Sequence, residues 1–120
     1  MLRLSASAEA DIVSILAWTE DRFGHNARLR YQARLITALR DIASDPERLG
    51  SISRPELGPA IRSYHLRHSR ERAVALESTV RMPRHLLLYR AIVPDFVGVG
   101  RVLHDAMEVE RNLPADYGDR

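Results

Sequence analysis

The sequence predicts an α+β domain of order β-α-α-β-β-β, with a helical hairpin packed on one face of a small antiparallel sheet. Three observations predict it. Apolar residues recur at three- and four-residue steps through the first 45 residues, and β-rich runs replace them beyond residue 60. The charge divides at the same place: residues 1–50 carry seven arginines against seven acids, residues 51–104 nine against four, and residues 105–120 two against five. The hairpin is neutral and the sheet region is basic.

Leu2-Arg3-Leu4 alternates briefly and reads as a short strand. Ser5 suits an N-cap, because its hydroxyl accepts from a first-turn N–H that has no helical partner. Ala8, Ile12, Ile15, Leu16, Thr19 and Phe23 then mark one face of a helix over about 6–23, and Gly24 ends it. Asn26 is a candidate cap for a second helix, whose stripe is Tyr31, Leu35, Leu39 and Ile42. Asp45-Pro46 stops that helix, since proline disfavours helical backbone in the residue before it. A Gly-His-Asn turn joins the two into a hairpin. Gly50, Pro55, Gly58 and Pro59 make residues 47–60 a loop. Ile61–Leu66, His85–Val93 and Phe96–Leu103 read as a three-stranded meander, with Pro94-Asp95 a tight connection and the first strand added at an edge. Residues 67–84 are long and charged, and their pattern fits either an extended hairpin or a loop. One domain spans 1–113, and the polar segment 114–120 reads as a flexible tail.

At 120 residues, folding buries roughly two-thirds of the unfolded surface, enough for one core. The absence of cysteine removes disulfides, thiolate zinc sites and cysteine nucleophiles. No apolar run approaches the ~20 residues of a membrane span, and the N-terminus lacks the pattern of a signal peptide. A soluble cytoplasmic protein is the expectation. All 18 basic residues are arginine, which codon bias explains better than selection for arginine chemistry. The basic centre calls for an acidic partner, nucleic acid or protein, or else is a solvated face.

His65 and His68 have a metal-like spacing, but residues three apart on a strand point to opposite faces, so no metal site is expected. His104-Asp105 and His25 read as too isolated for a triad. Gly98-x-Gly100 lacks the strand-turn-helix context of a phosphate loop and marks close packing or a bulge. Trp18 lies near the apolar stripe and fits either the core or a partner contact. Arg62, Arg67, Arg90 and Arg101 lie in or beside the strands. They form a cationic platform if they share a face, or pair with acids at the helix–sheet boundary if they do not.

The order of segments is informative as a set. Leu4-Ser5 leads into Ala8-Glu9-Ala10-Asp11-Ile12, Phe23-Gly24 closes the first helix, and Tyr31 sits in the second. Arg54-Pro55-Glu56-Leu57 precedes Ile61-Arg62-Ser63. Then follow Arg84-His85-Leu86-Leu87-Leu88-Tyr89-Arg90 and Arg101-Val102-Leu103-His104-Asp105-Ala106-Met107. Over residues 2–113 this resembles the RelE/ParE superfamily of type II toxins, most closely its ParE branch. The resemblance implies the same β-α-α-β-β-β fold and a cognate antitoxin, often of the ribbon-helix-helix type. The antitoxin's C-terminal segment would wrap the hairpin and sheet groove, with a toxin dimer possible inside the complex.

ParE-like members inhibit DNA gyrase and trap it on cleaved DNA without catalysing a reaction, and RelE-like members cleave mRNA on the ribosome. In one RNase branch an acid, an arginine and a His-Tyr pair do the chemistry. Glu56 and His104 match that set here. Leu86 replaces the arginine and Asp105 the tyrosine, and the lysines used by other members are absent. The resemblance therefore implies no catalytic residues and no cofactor, with Glu56 and His104 the pair for the nuclease alternative. It places target or antitoxin contacts at Trp18, Tyr31, Arg62, Arg67, Tyr89, Arg90, Arg101 and His104.

Overall fold

The computed structural model describes residues 1–69, 83–92 and 95–119. Most of the 67–84 segment, and Pro94 of the tight connection, lie outside them. The chain runs β1 (Leu2–Leu4), α1 (Ala6–Phe23), α2 (His25–Ser44), β2 (Ser51–Ser53), β3 (Ile61–His65), β4 (His85–Ile92) and β5 (Phe96–His104). The strands form one sheet of order β1-β5-β4-β3-β2. Strands β2 to β5 make an antiparallel meander, and β1 joins β5 in parallel, Leu2 opposite Val97 and Leu4 opposite Val99. The fold is the expected α+β hairpin on a sheet, with that one parallel pair making the sheet mixed.

Ser5 does two jobs at the first corner. Its Oγ accepts the Ala8 N–H at 3.0 Å, as a cap does, and donates to the Gly100 carbonyl at 2.7 Å. The start of α1 is thereby bonded to the middle of β5. Gly24 alone makes the turn between the helices, at φ 94°, and its N–H closes on the Glu20 carbonyl. Helix α2 starts at His25, so the three-residue turn and the Asn26 cap do not occur. Left-handed backbone at Gly24 makes the shorter turn possible.

Residues Leu16, Tyr31, Leu35, Ala38 and Ile42 of the hairpin pack on Tyr64, Leu87, Tyr89, Val97, Val99 and Val102 of the sheet. Phe23 and Ile36 continue the helical stripes by spacing but lie at the surface. The loop expected over 47–60 contains β2, which pairs with β3 from Ser51↔Tyr64 to Ser53↔Arg62. Three residues of Ser-Ile-Ser are too few to show strand alternation.

The other face of the sheet is also covered. Ile61, Leu88 and Leu103 form a second cluster with Val109 and Tyr117. Composition predicts a loose tail from Pro114, yet Tyr117 is buried against β5. The two glycines of β5 make this approach possible. A Cβ on Gly98 would stand 2.0 Å from the Tyr117 carbonyl oxygen, and one on Gly100 would stand 2.4 Å from Pro114 Cγ. Gly100 is also the bulge: Leu88 faces Arg101 while Tyr89 faces Val99, so Gly100 has no partner of its own. Both readings of Gly98-x-Gly100 are correct at once.

Candidate functional site

The bulge decides what stands at the far end of the sheet. Shifting the β4–β5 register by one residue brings His85 opposite His104, where an unbroken ladder from Ile92↔Phe96 would set His85 against Leu103. A one-residue slip exchanges the two faces. The shift therefore puts His104 on the helix side, where His85 already stands by alternation with Leu87 and Tyr89, with ring centroids 5.4 Å apart and planes at 84°. Residues from α2, from the end of β3 and from the ends flanking β4 and β5 lie nearby. Tyr31 of α2 brings its hydroxyl 2.6 Å from His85 Nδ1. His65, last residue of β3, meets Asp105 at 3.0 Å, and Arg84 Nε donates to the same carboxylate at 3.3 Å. Asp105 Oδ1 also stands 3.6 Å from His104 Nδ1. His104 and Asp105 are thus not isolated, contrary to the expectation.

Burial pushes the His85 imidazole down to about 4, and the neighbouring His104 adds to the effect. At neutral pH His85 is uncharged. Burial likewise raises the Tyr31 phenol to about 12, so its proton stays on. The bond from His65 holds the Asp105 carboxyl below its ordinary range, against a smaller opposing effect of burial.

The backbone fixes the Nδ1 role of two of the rings. Arg84 donates its backbone N–H to Tyr31 Oη at 3.3 Å, and one proton bridges Tyr31 Oη and His85 Nδ1. Ala106 N–H donates to His104 Nδ1 at 3.1 Å, and Arg67 N–H to His65 Nδ1 at 3.1 Å. His65 and His104 therefore use Nδ1 as an acceptor. His65 Nε2 donates to Asp105.

The remaining predicted residues are dispersed. Glu56 lies in a short 3-10 turn, Pro55–Leu57, and bonds Arg54 at 2.7 Å. That turn precedes Ile61, whose partner is Arg90, whereas the histidines lie beyond the other end of β3. Four strand steps, about 13 Å, separate the two ends. The Glu56–His104 pair is not brought together. Three of the four platform arginines are occupied within the fold. Arg62 Nε donates to Ser51 Oγ at 2.7 Å, tying β2 to β3. Arg90 bonds Asp119 at 2.6 Å and lies over the Tyr117 ring. Arg101 forks onto Asp11 at 2.7 and 2.9 Å, and Asp11 also accepts the Val102 N–H. That carboxylate closes the edge of β5 where β1 stops.

Tyr89 is fully buried, with its hydroxyl between Pro46 O and Ser51 Oγ. Arg67 is exposed. Trp18 is 54% exposed, edge-on to Phe23 and under the Arg22 guanidinium. Val13 and Phe23 are likewise exposed on α1. Sequence spacing missed His65, His85, Arg84 and Asp105 as a group, because only the Gly100 bulge aligns them. His65 and His68 do point apart, to Asp105 and to the Tyr64 ring respectively. Among the described residues no group of three His, Asp or Glu side chains is placed to hold a metal ion. No described helix is long and apolar enough to cross a membrane.

Comparison with curated proteins yields no match. The family model for the ParE toxin of the type II toxin-antitoxin system parDE matches residues 2–109. That span takes in every element from β1 through the short turn at Val109. The chain belongs to the ParE toxin family.

Proposed function

We propose that the protein is a non-catalytic toxin that acts in the cytoplasm on DNA gyrase, holding it on cleaved DNA. The observation that carries this reading is the separation of Glu56 from His104. RNA cleavage by 2′-hydroxyl attack needs a base facing the substrate and an acid for the leaving oxygen. Glu56 lies at the opposite end of the strands from the histidines, where the Nδ1 atoms of His65 and His104 already accept backbone N–H bonds.

Membership of a type II system brings an antitoxin partner. We assign it the ribbon-helix-helix type, with its C-terminal segment laid over the hairpin and a toxin dimer in the complex. The exposed Trp18 and the basic sheet region support that surface, since buried aromatic anchors dominate binding energy and opposite charge speeds encounter. Arg62, Arg90 and Arg101 then serve the fold and act on partners only through it.

Purified protein added to gyrase and relaxed plasmid should block supercoiling and raise the yield of cleaved DNA. Unimpaired supercoiling, with mRNA cut in a translating extract, would reverse the assignment.

A further inference from the structure

The back of the sheet holds a cation whose bonding is unfinished. Arg90 lies in the central strand, β4, with Ile61 and Gly98 as its cross-strand neighbours. Its Nε is buried without a hydrogen-bond partner among the described residues, and an unpaired buried donor costs free energy. The chain's own end covers it. Arg90 NH1 donates to Asp119 Oδ2 at 2.6 Å, and the guanidinium stands 4.6 Å from the centre of the Tyr117 ring. Asp119 Oδ1 accepts the Tyr117 N–H at 3.2 Å, in a tight turn that Gly118 makes at φ 76°. The carboxylate is thus divided between its own backbone and Arg90, where a free one places both oxygens on a guanidinium. The seat is also loosely filled. A cavity of about 380 Å³ lies between the tail, β3 and the turn before it, walled by Leu57, Ile61, Leu113 and Pro114 as well as Arg90 and Asp119. This tail lies beyond residues 2–109, the span that the family model matches.

We propose that residues 114–119 are a displaceable strap over a docking seat, which takes an extended partner segment with an aromatic residue two places before an acid. The tail itself displays that pattern. The Tyr117 ring lies on Gly100 and its backbone on Gly98, while Asp119 meets Arg90. A partner segment that runs straight through the seat keeps both carboxylate oxygens for Arg90, so Nε and a terminal nitrogen are satisfied together. It also has the cavity beside it to fill with an apolar side chain. With the strap down, Arg90 acts only within the fold; with the strap lifted, Arg90 anchors the partner. The tethered tail competes at an effective concentration on the order of millimolar, so it holds the seat until a better-bonded segment arrives. The inference is independent of the gyrase assignment.

A fluorescein-labelled peptide of residues 112–120, titrated with the full chain and followed by fluorescence anisotropy, tests it. Asp119→Asn unlatches the strap and should bind the peptide about tenfold more tightly than the unaltered protein does. Glu110→Gln, an exposed change of the same charge outside the strap, should leave the affinity where it was. Peptides carrying Tyr117→Ala or Asp119→Asn should bind the Asp119→Asn protein at least about tenfold more weakly. Arg90→Gln should remove binding while the circular dichroism spectrum stays unchanged. Equal affinity of the peptide for the unaltered and Asp119→Asn proteins would overturn the proposal. So would no binding to the Asp119→Asn protein, or binding that ignores the peptide's tyrosine and acid or survives Arg90→Gln. Dimers of the Asp119→Asn protein in sedimentation velocity, with the peptide excluded, would overturn it in favour of tail exchange between two copies.

Discussion

Arginine side chains illustrate how a residue's neighbours decide its role. Arg101 and Arg67 are alike in composition, but one is forked onto Asp11 at the helix–sheet boundary and the other faces solvent. Replacing Arg101 with alanine strands a partly buried Asp11, and should cost about 2 kcal/mol in chemical denaturation. The same change at Arg67 should stay within about 0.5 kcal/mol. Trp18 is the converse case, a large apolar side chain with little packing to lose. Trp18→Ala should leave the melting temperature nearly unchanged while weakening antitoxin affinity by tenfold or more in calorimetry.

His85 carries a pH dependence. Its imidazole titrates near 4 in the fold and near 6.5 when unfolded, so the unfolded chain binds the extra proton first. Stability is complete above about pH 6.5 and declines as the pH falls toward 4. Allowing for partial exposure, the loss is on the order of 2 kcal/mol. Thermal melts of the protein and of His85→Gln at pH 7 and pH 4.5 should show a smaller acid shift in the variant.

At the scale of elements, the two helices were legible because their stripes repeat over about four and three turns, and tertiary packing needed only to agree. The three long strands were legible for the same reason. Strand β2 was not, since its three residues gain strand geometry from β3 and not from their own pattern. The packed tail was hidden by its polar composition: one tyrosine in seven residues is a weak signal until the glycines of β5 are seen to make room for it. Gly100 has the largest structural effect of any single residue here, serving as both bulge and seat for Pro114 and Tyr117. Gly100→Ala should destabilise by about 2–3 kcal/mol, since the neighbours that must give way belong to a packed ring system. It should also broaden the imidazole resonances of His85 and His104 by loosening the register that pairs them. The candidate site was illegible for that reason: it depends on a one-residue shift whose cause lies on the opposite face of the sheet.

For the molecule as a whole, charge and topology set the behaviour. Residues 51–104 are basic and the hairpin is neutral, and the proposed antitoxin contact draws on both. Antitoxin association should therefore slow as salt rises while dissociation changes little, a split that stopped-flow measurement reads directly. A rate indifferent to salt would show that the arginines, so many of them paired internally, do not steer the encounter.

Topology adds a matter of timing. Strand β1 finds its partner only in β5, some 95 residues later along the chain. On a translating ribosome, at about 5–20 residues per second, the first strand and the hairpin behind it wait several seconds for the sheet to close. Nascent chains stalled before residue 96 should be cut readily by protease, and released full-length chains should resist. A poison made this way is harmless until its synthesis is nearly finished, which leaves a neutralising partner already present in the cell time to meet it as it emerges.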